Sequence, residues 1–456
     1  MVASFPGLIH AVLILSWIVL AGIIALVAIV IGRRIKREAE FKTLDHFREH
    51  LHSVVDALAN HTLEYDAGLA AIRALIPPRH APAVEQILVE ELESPTRAAM
   101  LQRLARDLGL IQAWQQRMAS RNQEEGMARP GALRRLFGLR FTERAASAER
   151  LGRIRDLGSW RLLARALQDP HRDVQAVALR SLASIGEPQS FPVLVEQLRS
   201  IVTSHRPGLS ARTLKAALAR FPLDSAPHLL PLLEDRDSRL RVIAIEILRE
   251  MLETNAGVHG KHVFQTDKIG PQLSRLALTQ LANDENPDVR AGAADLLPYF
   301  TDERAAPALA RLCSDPEWFV RLHAVRGLGE NGEKYFLEAI CARLSDPHWR
   351  VREAAARALA RGGEAGVRWL IETFLTTGDA YAREQITEEF QTSGIMAEIV
   401  RRCERGAASA QELEALAAIV RMGKTSYLRT LQAETSGVNG WENIQALLAR
   451  TFDAHA

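Results

Sequence analysis

Asp315-Pro316-Glu317-Trp318-Phe319-Val320-Arg321 returns 31 residues later as Asp346-Pro347-His348-Trp349-Arg350-Val351-Arg352. One further period upstream stands Asn286-Pro287-Asp288-Val289-Arg290, and one period downstream stands Ala382-Arg383. Leu240-Arg241 and Val174-Gln175 are earlier copies, the latter following Asp169-Pro170. Small and apolar residues at helical spacing follow each copy, for example Ala354, Ala355, Ala358 and Leu359. A second short helix, such as 333–344, fits between copies. An aspartate in the inter-helix turn is expected to cap the following helix, with proline at its first position, where a missing N–H costs nothing. The valine is expected to pack inward, and alanine allows close helix approach. The arginines at 290, 321, 352 and 383 are expected to pair with turn aspartates. A two-helix unit of this length buries its apolar face only against its neighbours, so the pattern predicts an all-α superhelical solenoid.

This pattern resembles HEAT repeats, particularly the short bacterial HEAT-like repeats of the phycobilin-lyase type. The resemblance covers residues 141–456, about ten units of this length. It implies an interaction scaffold and is almost silent about activity. One interval breaks the rhythm. Leu240 and Val289 are separated by 18 residues more than one period, which places an insertion at about 253–272, ETNAGVHGKHVFQTDKIGPQ. Insertions in solenoids map to surface loops, often on a binding face. His259, Lys261, His262 and Phe264 are therefore candidate partner-binding residues, against the plainer reading of a tolerated loop. Trp318 and Trp349 occupy equivalent positions and are expected to stack along one rim, with His348 beside them. That edge is a second candidate partner surface, unless the rings merely pack on the neighbouring turn.

The other end of the chain is different in kind. Residues 1–32 contain no Asp, Glu, Lys or Arg, and Leu8–Ile31 is apolar apart from His10, Ser16 and Gly22. As a helix this run is roughly 36 Å long, enough to cross a bilayer with some tilt. Arg33, Arg34, Lys36 and Arg37 follow it. A cleavable signal peptide has the opposite order, with charge before a shorter apolar core. The expectation is an uncleaved single-pass anchor in residues 1–35, spanning about 8–31. Positive flanks stay on the cytoplasmic side, which puts the N-terminus outside the cell (inner) membrane and the solenoid in the cytoplasm. A juxtamembrane helical region follows over 36–120, with an amphipathic stalk to about His61 and helices near 64–76 and 81–93. The broken, polar stretch 121–140 reads as a linker.

Composition narrows the function. The 456 residues are 47% hydrophobic and 25% charged, with a formal charge of +2, which excludes global disorder and a nucleic-acid binder driven by bulk charge. Three dispersed cysteines make no disulfide framework. His46, Glu49 and His50 match the H-x-x-E-H pattern of inverted zinc peptidases, with Glu124 or Glu125 as a third ligand. That family has a mixed α/β catalytic domain, and no strand signal surrounds the motif, so a solvated stalk face is the preferred reading. Deoxyhypusine hydroxylase, a HEAT-like enzyme, holds iron through His-Glu pairs, and no His is followed by Glu here. No phosphate-cradling loop or nucleophile elbow occurs, so no catalytic residue and no cofactor are nominated. Arginine is dense between 129 and 165, including Arg134, Arg135, Arg144, Arg150 and Arg153. With the collar at 33–37, Arg134 and Arg135 are candidate contacts for anionic lipid. The expected function is a membrane-anchored scaffold for another protein, an accessory subunit of a membrane complex. A regulatory subunit acting on lipid or polymer through 129–165 is the alternative, and a metal-dependent enzyme using His46 and His50 comes third.

Overall fold

The computed structural model describes residues 49–75, 85, 88, 97–119, 139–204, 209–259, 270–300, 302–331 and 336–422. All regular structure among them is helical. The chain divides into two compact units, 1–187 and 188–456.

In the first unit a helical stretch over 49–59 buries Leu51, Val55 and Leu58 along one stripe, as their spacing requires. It stops where His61 takes a φ of 56°. Helices Tyr65–Leu75, Ala98–Asp107 and Leu110–Ala119 follow. Next come α1 (Leu139–Arg153), a short helix Trp160–Ala166 and α2 (Arg172–Ile185). α1 and α2 touch along their length, because Gly152 leaves room for the backbone of Ser181. The Ser181 hydroxyl fills the remaining space by donating to the Ala148 carbonyl at 2.8 Å. Gly186 ends α2 with a φ of 67°, a left-handed stop that favours glycine.

The second unit carries the periodic helices: α3 (Ser238–His259), α4 (Pro287–Leu296), α5 (Trp318–Asn331), α6 (Trp349–Arg361) and α7 (Ala380–Thr392). Each packs on the next, so they form one row. A second set of helices alternates with them: Gly270–Thr279, Ala305–Leu312, Leu337–Cys341 and Gly363–Thr376. The repeated inward position is fully buried every time, at Val289, Val320, Val351 and Ala382. Burying one valine contributes about 1.5–3 kcal/mol. Small residues such as Ala294, Ala324 and Ala355 have no exposure, so neighbouring helices approach closely.

Three expectations change. Asp169, Asp284 and Asp346 do not cap the helices that follow; the residue two positions later does, as described below, while Asp379 is itself the cap of α7. Proline precedes the cap in Asp346-Pro347-His348 and takes the first helical position only at Pro287. The inserted segment is not all loop, because α3 continues to His259. Lys261, His262 and Phe264 lie outside the described residues, as does the side chain of His259. Among the described residues no helix is long and apolar enough to cross a membrane. The span at 8–31 and its flank Arg33, Arg34, Lys36 and Arg37 lie outside the described residues, as do most of 81–93 and 120–138.

Candidate functional site

Five of the turns that open the long helices, those before α2 to α6, share one device. An aspartate oxygen accepts the amide two residues ahead at 2.9 Å: His171 on Asp169, Asp237 on Asp235, Asn286 on Asp284, Glu317 on Asp315 and His348 on Asp346. The residue so held is usually the N-cap. Asp237 and Asn286 accept the amides of Arg239 and Asp288 at 3.0 and 2.8 Å. At His171 and His348 the acceptor is the ring Nδ1, taking the amides of Asp173 and Arg350 at 3.3 Å, which places any single ring proton on Nε2.

Three of these aspartates, Asp169, Asp315 and Asp346, receive an arginine from 25 residues back. Arg290 donates Nε and Nη2 to Asp315 at 2.7 and 2.9 Å, and Arg321 does so to Asp346 at 2.7 and 2.8 Å. In the first unit Arg144 grips Asp169 likewise. Across the insertion, Arg241 keeps a single bond to Asp284 at 2.7 Å. Arg241, Arg290 and Arg321 also turn back to the carbonyl six residues earlier, Arg290 to Asp284 and Arg321 to Asp315 both at 2.9 Å. The expected arginine–aspartate pairs form at Arg290 and Arg321, closed between repeats rather than within one, whereas Arg352 and Arg383 bond backbone carbonyls and pair with no aspartate among the described residues.

The rungs shift the carboxylates. Burial raises the pKa of Asp315 and Asp346, but the hydrogen bonds and charge of Arg290 and Arg321 outweigh it and hold both below the ordinary range. The Arg304 hydrogen bond draws Asp302 down to about 2. A carboxylate with a depressed folded pKa stabilises the fold above its unfolded pKa, about 3.9, and loses that contribution as pH falls. The helical signal of the purified chain should therefore decay as pH falls from about 4 to 2, and Asp302→Asn should flatten the lower end of that curve.

At one edge the repeat aromatics meet. Trp318 does not lie on Trp349; His348 stacks on Trp318 at 3.8 Å with planes 5° apart. Arg350 stands over both indoles, 5.8 Å from Trp318 and 5.3 Å from Trp349. Phe141 and His171 stack in the same way at 3.6 Å. Sequence reading missed this arrangement, although its signal was present: an aromatic residue 30 positions before a histidine that follows Asp-Pro. Trp349 and Tyr381 remain 53% and 71% exposed.

Other candidates lie elsewhere. Glu49 and His50 are exposed at the start of the described chain, and His46, Arg134 and Arg135 lie outside it. Among the described residues no group of three or more His, Cys, Asp or Glu could hold a metal. Several arginines of the basic segment have internal tasks: Arg144 on Asp169, Arg150 on buried Glu85 at 2.9 Å, and Arg153 on Glu149 at 3.0 Å. Cys313 is buried, and desolvation pushes its thiol pKa up to about 12. A polar cavity of about 380 Å³ lies between α6 and α7, lined by residues that include Arg357, Arg361 and Glu389.

The family model for HEAT repeats matches residues 141–206, 275–360 and 314–391. No curated protein matches the chain. Among solved structures, the karyopherin Kap121p bound to the extreme C-terminus of the protein phosphatase Cdc14p is 16% identical, with a TM-score of 0.40, over 84% of this chain and 51% of that one. Importin beta is 15% identical with a TM-score of 0.37, over 90% and 65%. An engineered protein is 17% identical with a TM-score of 0.31, over 88% and 98%. The chain thus spans about half the length of the first karyopherin. The segments that match the HEAT-repeat model, 141–206 and 275–391, are also those that carry the bidentate rungs.

Proposed function

We propose that this protein is a membrane-anchored HEAT-repeat scaffold that holds a partner protein at the cytoplasmic face of a membrane, as an accessory subunit of a complex there. One observation carries the scaffold reading. The recurring charges at Arg290, Asp315, Arg321 and Asp346 satisfy one another between repeats, while large aromatic side chains, Trp349 and Tyr381, stay exposed on adjacent helices of a packed row. Such anchors on a preorganised surface are the usual energetic centres of protein interfaces. The apolar run 8–31 and the basic residues after it support the anchor and its orientation.

The test uses the full chain in its membrane. A photo-crosslinking residue at position 349 is expected to give one discrete protein adduct, whereas the same residue at exposed Arg239 gives none. The chain is expected to stay with the membrane after alkaline extraction, and a reporter fused after Ala456 is expected inside the cell. Extraction into the soluble fraction would sink the anchor. Absence of an adduct from position 349 and from every other exposed aromatic would sink the scaffold.

A further inference from the structure

Beyond Arg321 the ladder of rungs lacks its carboxylates, first at Arg352 and again at Arg383, which bonds the Thr377 carbonyl instead. Arg290 and Arg321 each find an aspartate 25 residues ahead. The residue 25 ahead of Arg352 is Thr377. Thr377 keeps the turn, since its Oγ1 accepts the amide of Asp379 at 3.1 Å, but it brings no negative charge. Arg352 keeps its backward bonds to the carbonyls of Asp346 and Pro347 at 2.9 and 3.2 Å. Its Nε is shut off from solvent and has no acceptor. Arg241 also lacks an acceptor at Nε, yet it retains a carboxylate through Nη2; Arg352 has none among the described residues.

The nearby acids are already engaged. Asp346 takes Arg321, Asp379 takes the amides of Tyr381 and Ala382, and Glu353 takes Arg357. The Arg352 guanidinium lies 5.5 Å from the ring centroid of the exposed Tyr381. On the same edge, Arg350 lies over the exposed Trp349. The start of α6 thus presents Arg352 beside exposed Tyr381 and, two residues earlier, Arg350 beside exposed Trp349, whereas the upstream counterparts Arg290 and Arg321 hold carboxylates.

We propose that this edge of the second unit docks an acidic peptide segment of a partner protein. One carboxylate of the segment pairs with Arg352 from the solvent side through Nη2, which no described residue engages, and Trp349 and Tyr381 cover the flanking residues. A planar guanidinium pairs with carboxylate through two parallel bonds, and the Arg321–Asp346 rung shows that geometry in this fold. The proposal rests on the scaffold reading and names the chemistry of its partner.

The experiment is fluorescence anisotropy with the full chain and two labelled decapeptides, one alternating Glu and Ala, the other Lys and Ala. The Glu peptide is expected to bind, and the Lys peptide is not. Thr377→Asp closes the rung from within, so it should raise the Tm and weaken Glu-peptide binding by about tenfold or more. Arg352→Gln should weaken binding comparably, and it stands in if Thr377→Asp does not fold. Trp349→Ala should weaken binding without changing the pairing of Arg321. Equal binding of both peptides would overturn the proposal, as would Thr377→Asp raising the Tm with Glu-peptide binding unchanged. A concentration-dependent dimer lost in Trp349→Ala, with no Glu-peptide binding, would assign the edge to self-association instead. Crosslinking from position 349 to a partner while the Glu peptide fails to bind would leave the scaffold standing and remove only the acidic segment.

Discussion

Asp346→Ala is expected to destabilise the second unit by about 3–5 kcal/mol, because it strands a buried charge. The Asp346 side chain has no exposure and Arg321 has 11%, so solvent cannot replace the lost partner. The same substitution removes the acceptor for the His348 amide and loosens the turn that starts α6. Urea unfolding followed by circular dichroism measures the loss, and thermal unfolding should shift downward with it. The loss belongs mostly to the uncompensated charge rather than to the bond itself. Replacing both partners, Arg321→Met with Asp346→Leu, should therefore recover most of the stability. A double variant as unstable as Asp346→Ala would show that the rung contributes net attraction instead.

The second large effect is expected at Gly152→Ala, at about 3 kcal/mol, near the upper end for overpacking. A Cβ there would stand 2.7 Å from the Cα of Ser181, so two helix backbones would have to part. Parting them also breaks the Ser181 bond to Ala148 that joins α1 to α2. Trimming the neighbour should not rescue the variant, because Ser181→Ala leaves the Cα in place. The measurement is the Tm of Gly152→Ala alone and combined with Ser181→Ala. A substantial rescue would mean the clash is with the hydroxyl and not the backbone.

The fold was legible because periodicity is a local signal. Val289, Val320 and Val351 repeat at one interval, and each is fully buried in a helix packed on the next. The pairing of arginine with turn aspartate was also legible as chemistry. Its connectivity was not, since the choice between an aspartate in the same turn and one 25 residues ahead depends on how the repeats stack. The capping role fell to the wrong residue for a related reason. Aspartate is an excellent N-cap in isolation, but here its oxygens are claimed by an arginine and by the amide two residues on, and the cap passes to His348 or Asn286. His348 entered as a partner-binding candidate and is a cap whose ring covers Trp318. The edge at Trp349 was partly legible as exposed aromatic chemistry. Thr377 was not, because an absent carboxylate stands out only once the rungs before it are seen.

The rung between Arg241 and Asp284 closes at 2.7 Å across 43 residues of chain, whereas the other rungs of the second unit span 25. Alignment of successive repeats is therefore maintained by side chains meeting in space and is indifferent to the contour length of the polypeptide between them. The Arg241–Asp284 rung depends on the position of its two side chains and not on a fixed number of residues between them. The array behaves as a rack with one adjustable slot.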